Sequence, residues 1–325
     1  MTKSLLTVVL SIIVISCTKI RGGEDHLPYI TFGVSGLETD TKALITEENF
    51  TNGSTKVYVY GWRNNTNNIF NKTQITKEQN SSNWNPPQAN QRKWSPGSSY
   101  SFHAICQSPD TPGNGASLSV SNNGMTINIS QPTAYSQSDM VDYMLSHSYK
   151  VADGSNHHIV MLYMEHAMAW IEVVVEKEMP EHNIVLNRII LGNIYRSASM
   201  QCEAHANANS GNTNGWTTQL SGNNDLSYTE DSFTPEGENI LGKISFLAVP
   251  QQLTDKTTLS VTYTVTEYEG SVKEYTETFQ LFNYTPYVWE SGHKITYTLT
   301  INTGVQLKAH IADWMDGGYT EGVII

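Results

Sequence analysis

Cysteine is scarce in this chain. Its 325 residues contain three, Cys17, Cys106 and Cys202, too few for a disulfide framework to hold a fold of this length. They make no zinc pattern, and the sequence leaves Cys106 and Cys202 open between one bridge in an oxidising compartment and two buried thiols. Charge is also sparse, at 15% of residues with a net of -12, and the negative balance disfavours nucleic acid and anionic membrane surfaces as partners. Sustained helical periodicity is missing, since no stretch keeps apolar residues at i, i+3, i+4 and i+7 over three turns; only Ser136 to Ser146 invites a short helix. The signatures of catalysis are missing too. There is no G-x-S-x-G elbow, no phosphate-binding loop and no dinucleotide fingerprint. His157, His158, Glu165 and His166 lack the H-E-x-x-H spacing of a zinc site and lie on a strand-like pattern, so they read as structural. Glu172, Glu176 and Glu178 fall at outward strand positions and read as a solvated face rather than a glycosidase pair. No catalytic residue, cofactor or metal ligand is named by the sequence, and an enzyme is not expected.

What is present begins with one apolar run. Lys3 precedes Leu5 to Ile15, which Ser16-Cys17 closes, the form of a secretory signal. The run is shorter than the roughly 20 apolar residues a membrane-spanning helix needs, so it is expected to be cleaved. Val14-Ile15-Ser16-Cys17 resembles the lipobox of bacterial lipoproteins, whose peptidase cuts before the cysteine and whose sulfur receives lipid. Residues 1–16 are then the signal peptide and Cys17 is the lipidated start of the mature chain. Several acyl chains, at about 0.8 kcal/mol per buried methylene, anchor such a protein where one would not.

The body alternates with period two. Leu259, Val261, Tyr263 and Val265 face one way with Ser260, Thr262 and Thr264 opposite, and Ile295, Tyr297, Leu299 and Ile301 repeat the pattern. Further inward sets are Ile30, Phe32 and Val34; Met125, Ile127 and Ile129; and Ile171, Val173 and Val175. Val57 to Trp62 (VYVYGW) is apolar on both faces and predicts a central strand. Dense turn chemistry, as at Asn122-Asn123-Gly124, Asp153-Gly154 and Glu269-Gly270, punctuates the strands. With 38% hydrophobic residues there is enough apolar material for two cores, and an all-β chain of two sandwiches follows. The boundary is expected near Gly154 to His158, giving domains 17–155 and 156–325. Asn64 to Asn90 and His205 to Asn224 read as long polar loops, and their Trp84 and Trp216 are the aromatics best placed to stack on a sugar.

The order of segments resembles the fimbrillin family, the type V pilins and related lipoproteins of Bacteroidetes. The lipobox is followed by a lone strand, Tyr29 to Gly36 (YITFGVSG), and by Lys42-Ala43. VYVYGW, Trp84-Asn85-Pro86-Pro87, Trp94 and Tyr100 to Ala104 come next. Met164 to Ala169 (MEHAMA), Phe246 to Leu253 (FLAVPQQL), Trp289, Gly292 to Tyr297 and Trp314 complete the order. The resemblance implies two tandem transthyretin-like β-sandwich domains, an outer-membrane lipoprotein exposed at the cell surface or in a fimbrium, and other fimbrial subunits as partners. It implies that a protease frees the first strand, with Ile30, Phe32 and Val34, and that a strand of the next subunit replaces it. Cleavage is implied at Lys42-Ala43 or near Arg21, and Val323, Ile324 and Ile325 are the candidate C-terminal donor segment. The family's usual step is Arg-Ala, so the lysine here leaves a stalk, an anchor and a tip or accessory subunit all open. The competing expectation is a surface lipoprotein that does not polymerise and binds carbohydrate or a host ligand.

Overall fold

The computed structural model describes residues 27–35, 56–108, 116–132, 134–135, 140–146, 149–155, 158–179, 182–203, 216–223, 226–267, 270–302 and 305–313. Their strands in the first half are β1 (Phe32–Ser35), β2 (Lys56–Arg63), β3 (Asn67–Lys77), β4 (Asn83–Asn85), β5 (Tyr100–Ser108) and β6 (Ala116–Ser121). β7 (Gly124–Ser130), β8 (Ala134–Tyr135), β9 (Asp142–Ser146), β10 (Tyr149–Val151) and β11 (Val160–His166) follow. The second half has β12 (Ala169–Lys177), β13 (Asn183–Ile194), β14 (Ser197–Glu203), β15 (Trp216–Ser221), β16 (Leu226–Glu230) and β17 (Ile240–Ala248). It ends with β18 (Gln251–Gln252), β19 (Thr258–Thr266), β20 (Val272–Gln280), β21 (Val288–Trp289), β22 (His293–Ile301) and β23 (Val305–Asp313).

The alternating sets are buried as a period of two requires. Leu259, Val261, Tyr263 and Val265, like Ile295, Tyr297, Leu299 and Ile301, point into one core, while the intervening hydroxyl residues stay outside it. That core lies between the four-stranded sheet β17–β12–β22–β23 and the five-stranded sheet β20–β19–β13–β16–β8. Two faces meeting in this way make a β-sandwich.

In the first half one ladder runs β10–β5–β2–β3–β4–β1–β11–β9, and β9 returns to pair with β5. Two strands turn its corners. β3 pairs with β2 through Asn67 to Ile75 and with β4 at Thr76 and Lys77. β11 pairs with β1 from Val160 to Tyr163 and with β9 from Met164 to His166. The ladder therefore forms two layers, with β5, β2 and β3 on one side of the core and β4, β1 and β11 on the other. Gly61 of β2 is the one residue in VYVYGW that has no side chain, because a Cβ there would lie 2.9 Å from both Phe70 and Phe102. The outer face of β2 is only half-buried: Tyr58 and Tyr60 pack against a third cluster rather than a second full layer.

That third cluster lies under a sheet shared by the two halves, β15–β14–β7–β6. β7 pairs antiparallel with β14 from Ser130↔Ser197 to Gly124↔Glu203. The inner face of this sheet (Met125, Ile127, Ile129, Ala198 and Met200) packs with Ile105, Tyr143, Leu145, Trp170 and Leu247.

Three local expectations are corrected. Asn64 to Asn90 is not a loop but carries β3 and β4, with Phe70, Thr73 and Ile75 as the inward residues of β3. Their alternation is hidden by a bulge at Lys72, whose φ is 48°, so that Thr73 rather than Lys72 follows Phe70 inward. Ser136 to Ser146 ends in a strand: all of β9 is buried because Met144 faces the core of the first half while Tyr143 and Leu145 face the third cluster, so neither side is left to polar residues. Glu172 is not solvated. It lies mid-strand in β12 and its carboxylate is 2.7 Å from Lys243 Nζ and 3.3 Å from Lys294 Nζ, the neighbours on β17 and β22.

Candidate functional site

Among the segments singled out by the sequence, the first strand is the one that the fold turns into a site. β1 is inserted between two strands that do not otherwise meet. On one side it runs parallel to β11 (Phe32↔Val160 to Ser35↔Tyr163); on the other it is antiparallel to β4 (Phe32↔Trp84, Gly33↔Asn83). The chain just before it continues the pairing: Ile30 N–H donates to Arg92 O at 2.8 Å, and Trp94 N–H donates to Pro28 O at 3.1 Å. Thr31 O accepts from Val160 N–H at 2.9 Å.

The side chains are held as firmly as the backbone. Ile30 and Phe32 are each 0% exposed, and Val34 packs partly buried against the same core. The Phe32 ring meets Phe70 edge-on at 5.6 Å and Phe102 at 5.7 Å. Trp94 extends this aromatic cluster, 6.2 Å from Phe102 and 4.9 Å from Tyr100. Three inward apolar side chains of this kind contribute about 1.5–3 kcal/mol each when fully buried. β1 is therefore the central strand of its layer, and taking it away would part β4 from β11 and uncover the floor made by Phe70 and Phe102.

Sequence reasoning identified the three inward residues of β1 because alternation is local. It did not identify the bed. Trp84, expected to stack on a ligand from a polar loop, is 5% exposed and is the register partner of Phe32 in β4. Its polar neighbours concealed this; the only local hint was Trp84 alternating with Asn83 and Asn85. Trp216 opens β15 and pairs through its backbone with Cys202. Cys17, Arg21, Lys42, Ala43, Val323, Ile324 and Ile325 lie outside the described residues, as does His157.

The remaining polar candidates are structural in their contacts. His166 Nδ1 lies 3.0 Å from Asp142 Oδ1 with both side chains buried, which ties β9 to the end of β11. Cys106 is a free buried thiol, pushed well above its usual pKa by burial first and then by nearby Asp142; a thiol so shifted is protonated and a poor nucleophile. Among the described residues no three His, Cys, Asp or Glu side chains converge as a metal site.

Residues 41–314 match the fimbrillin-like family. Of solved structures, a fimbrial protein from Bacteroides vulgatus superposes with a TM-score of 0.57 at 15% identity, covering 88% of this chain and 99% of its own. A candidate cell adhesion protein from Bacteroides uniformis superposes with a TM-score of 0.52 at 11% identity, again covering 88% and 99%. At such identities the likeness is one of fold. No curated protein matches the chain in sequence.

Proposed function

This chain belongs to the fimbrillin-like family of cell-surface fimbrial proteins, and on that premise we propose that it is a fimbrial subunit that joins its neighbours by exchanging β1 for a strand of another subunit. The observation that carries this reading is the position of β1. It is central to its layer, Ile30 and Phe32 are fully buried and Val34 partly so, and it is joined to the rest of the chain only through residues 36–55, which include Lys42-Ala43. A cut in that stretch frees a strand whose loss leaves two unpaired edges and an apolar floor. An incoming extended segment regains the backbone bonds, at roughly 0.5–1.5 kcal/mol net apiece, and fills the vacated positions with alternate side chains. Because donor and acceptor surfaces differ, the contact is head-to-tail and propagates into a filament.

In this reading Cys17 carries the lipid that delivers the precursor to the outer membrane, and cleavage releases the mature subunit from that anchor. The family's proteins are structural, and the role proposed is mechanical and adhesive. The test is to isolate the protein from surface fibres and sequence its N-terminus. A start at Ala43 is the expected result for a stalk subunit. A lipidated Cys17 in every assembled copy would rule out loss of β1 and leave an anchor.

A further inference from the structure

We propose that the bed of β1 selects strands with glycine at the position of Gly33, and that Met161 and Ile159 are the residues that read it. The inference rests on β1 being replaceable. Phe32 faces the core, so Gly33 faces the opposite side, where a sheet residue would ordinarily meet solvent. Gly33 does not: it is buried. Met161, its parallel register partner on β11, lays its thioether across the strand. A Cβ at position 33 would lie 2.5 Å from Met161 Sδ, 3.1 Å from Met161 Cε and 3.3 Å from Ile159 Cγ2.

Methionine is flexible enough to swing its thioether aside, but it then gives up the apolar surface it covers. Ile159 is β-branched and has little rotamer freedom to follow. The selection is therefore graded. Alanine at position 33 displaces Met161 and crowds Ile159, and the extra methyls of a β-branched residue press on both further. On the other face the places of Ile30 and Phe32 demand large apolar side chains. The strand that fits reads apolar-x-apolar-Gly-apolar, as in Ile30-Thr31-Phe32-Gly33-Val34.

A stretch near residue 320 comes close. Tyr319 to Val323 (YTEGV) repeats the Thr-x-Gly-Val of Thr31 to Val34. With the glycines aligned, Glu321 takes the place of Phe32 between Phe70 and Phe102, where an unpaired carboxylate is costly. The preferred occupant is thus a segment of a partner subunit with an apolar residue at that position, rather than the Tyr319–Val323 segment of a second copy.

Two measurements on the full-length chain test this. The first compares the thermal stability of Gly33→Ala, Gly33→Val and Met161→Ala with that of each double variant. Gly33→Val is expected to lower the midpoint more than Gly33→Ala, and Met161→Ala is expected to restore part of the loss. Strictly additive effects would overturn the contact. The second places a specific protease site at Lys42-Ala43, cleaves, and challenges the protein with labelled Tyr29–Ser35 peptide (YITFGVS), or the same peptide carrying Gly33→Val or Phe32→Glu. The first peptide is expected to bind at least about tenfold more tightly than either variant, a difference of about 1.4 kcal/mol. Equal binding of the glycine and valine peptides would overturn the selection while leaving strand exchange intact. If no peptide enters, exchange itself fails and the selection with it, even if stability coupling between positions 33 and 161 persists.

Discussion

At the scale of single residues, removing the partner of a buried polar group should be felt. Trp289 is fully buried and its Nε1–H donates to Tyr297 Oη at 2.9 Å. Trp289→Phe strands that hydroxyl in the core, with an expected loss of about 1–3 kcal/mol, visible as a lower urea midpoint at unchanged slope. Tyr143 and Tyr228 are buried, and burial pushes each phenol from 10 up to about 12. The folded pKa is the higher one, so the neutral form is the one the fold prefers. The corresponding stability is complete below pH 10 and is lost as pH rises from 10 towards 12. Denaturation followed across that window should reveal the decline, and Tyr143→Phe with Tyr228→Phe should flatten it. Such residues were only partly legible in the sequence. Tyr297 was identifiable as inward by alternation, whereas Glu172 was misread as solvated, because nothing local says that Lys243 and Lys294 arrive from two neighbouring strands to cover it.

At the scale of elements, β1 and β20 are opposite cases. β1 is short, central and buried, so Phe32→Ala should cost about 3–5 kcal/mol, and Val34→Ala, at a partly buried position, clearly less. Chemical denaturation of the two variants side by side measures the difference. β20 is the edge of its sheet and exposed along almost its whole length. Its Lys273, Glu274 and Glu277 discourage edge-to-edge pairing with another chain. Replacing Lys273 and Glu277 together by valine should produce concentration-dependent self-association in light scattering, while the wild-type edge stays monodisperse. The elements were legible where alternation was clean, as in β19 and β22. They were lost where a bulge broke the period, as at Lys72 in β3, or where packing on both faces removed the polar side, as in β9.

At the scale of the whole molecule, the sheet β15–β14–β7–β6 joins the two halves by backbone pairing rather than side-chain contact alone. Gln131 reinforces the joint: its N–H donates to Arg196 O at 2.8 Å, and its side-chain amide donates to Leu247 O at 2.8 Å. Within the second half, Gln251 Oε1 accepts from Tyr195 N–H at 2.9 Å, just before the start of β14. Such a joint couples the halves, and calorimetry should record a single cooperative transition. Ser199→Pro removes a backbone donor from β14, where Ser199 pairs with both Asn128 and Gln219. The expected outcome is two resolved transitions, and one unchanged transition would show that side-chain packing alone couples the halves.

The sequence by itself determined that the chain is all-β, which side chains of the regular strands point inward, and the family to which it belongs. Each of these is written in local alternation or in the order of segments along the chain. Only the tertiary structure decided that β1 lies between β4 and β11, that Trp84 is part of its bed rather than a ligand contact, and that β7 crosses to pair with β14. The reason is physical: side-chain periodicity is a property of each strand alone, whereas every residue but proline offers the same backbone donor and acceptor. The choice of neighbour is therefore made by the packing of distant side chains, such as Met161 over Gly33, which no stretch of sequence contains.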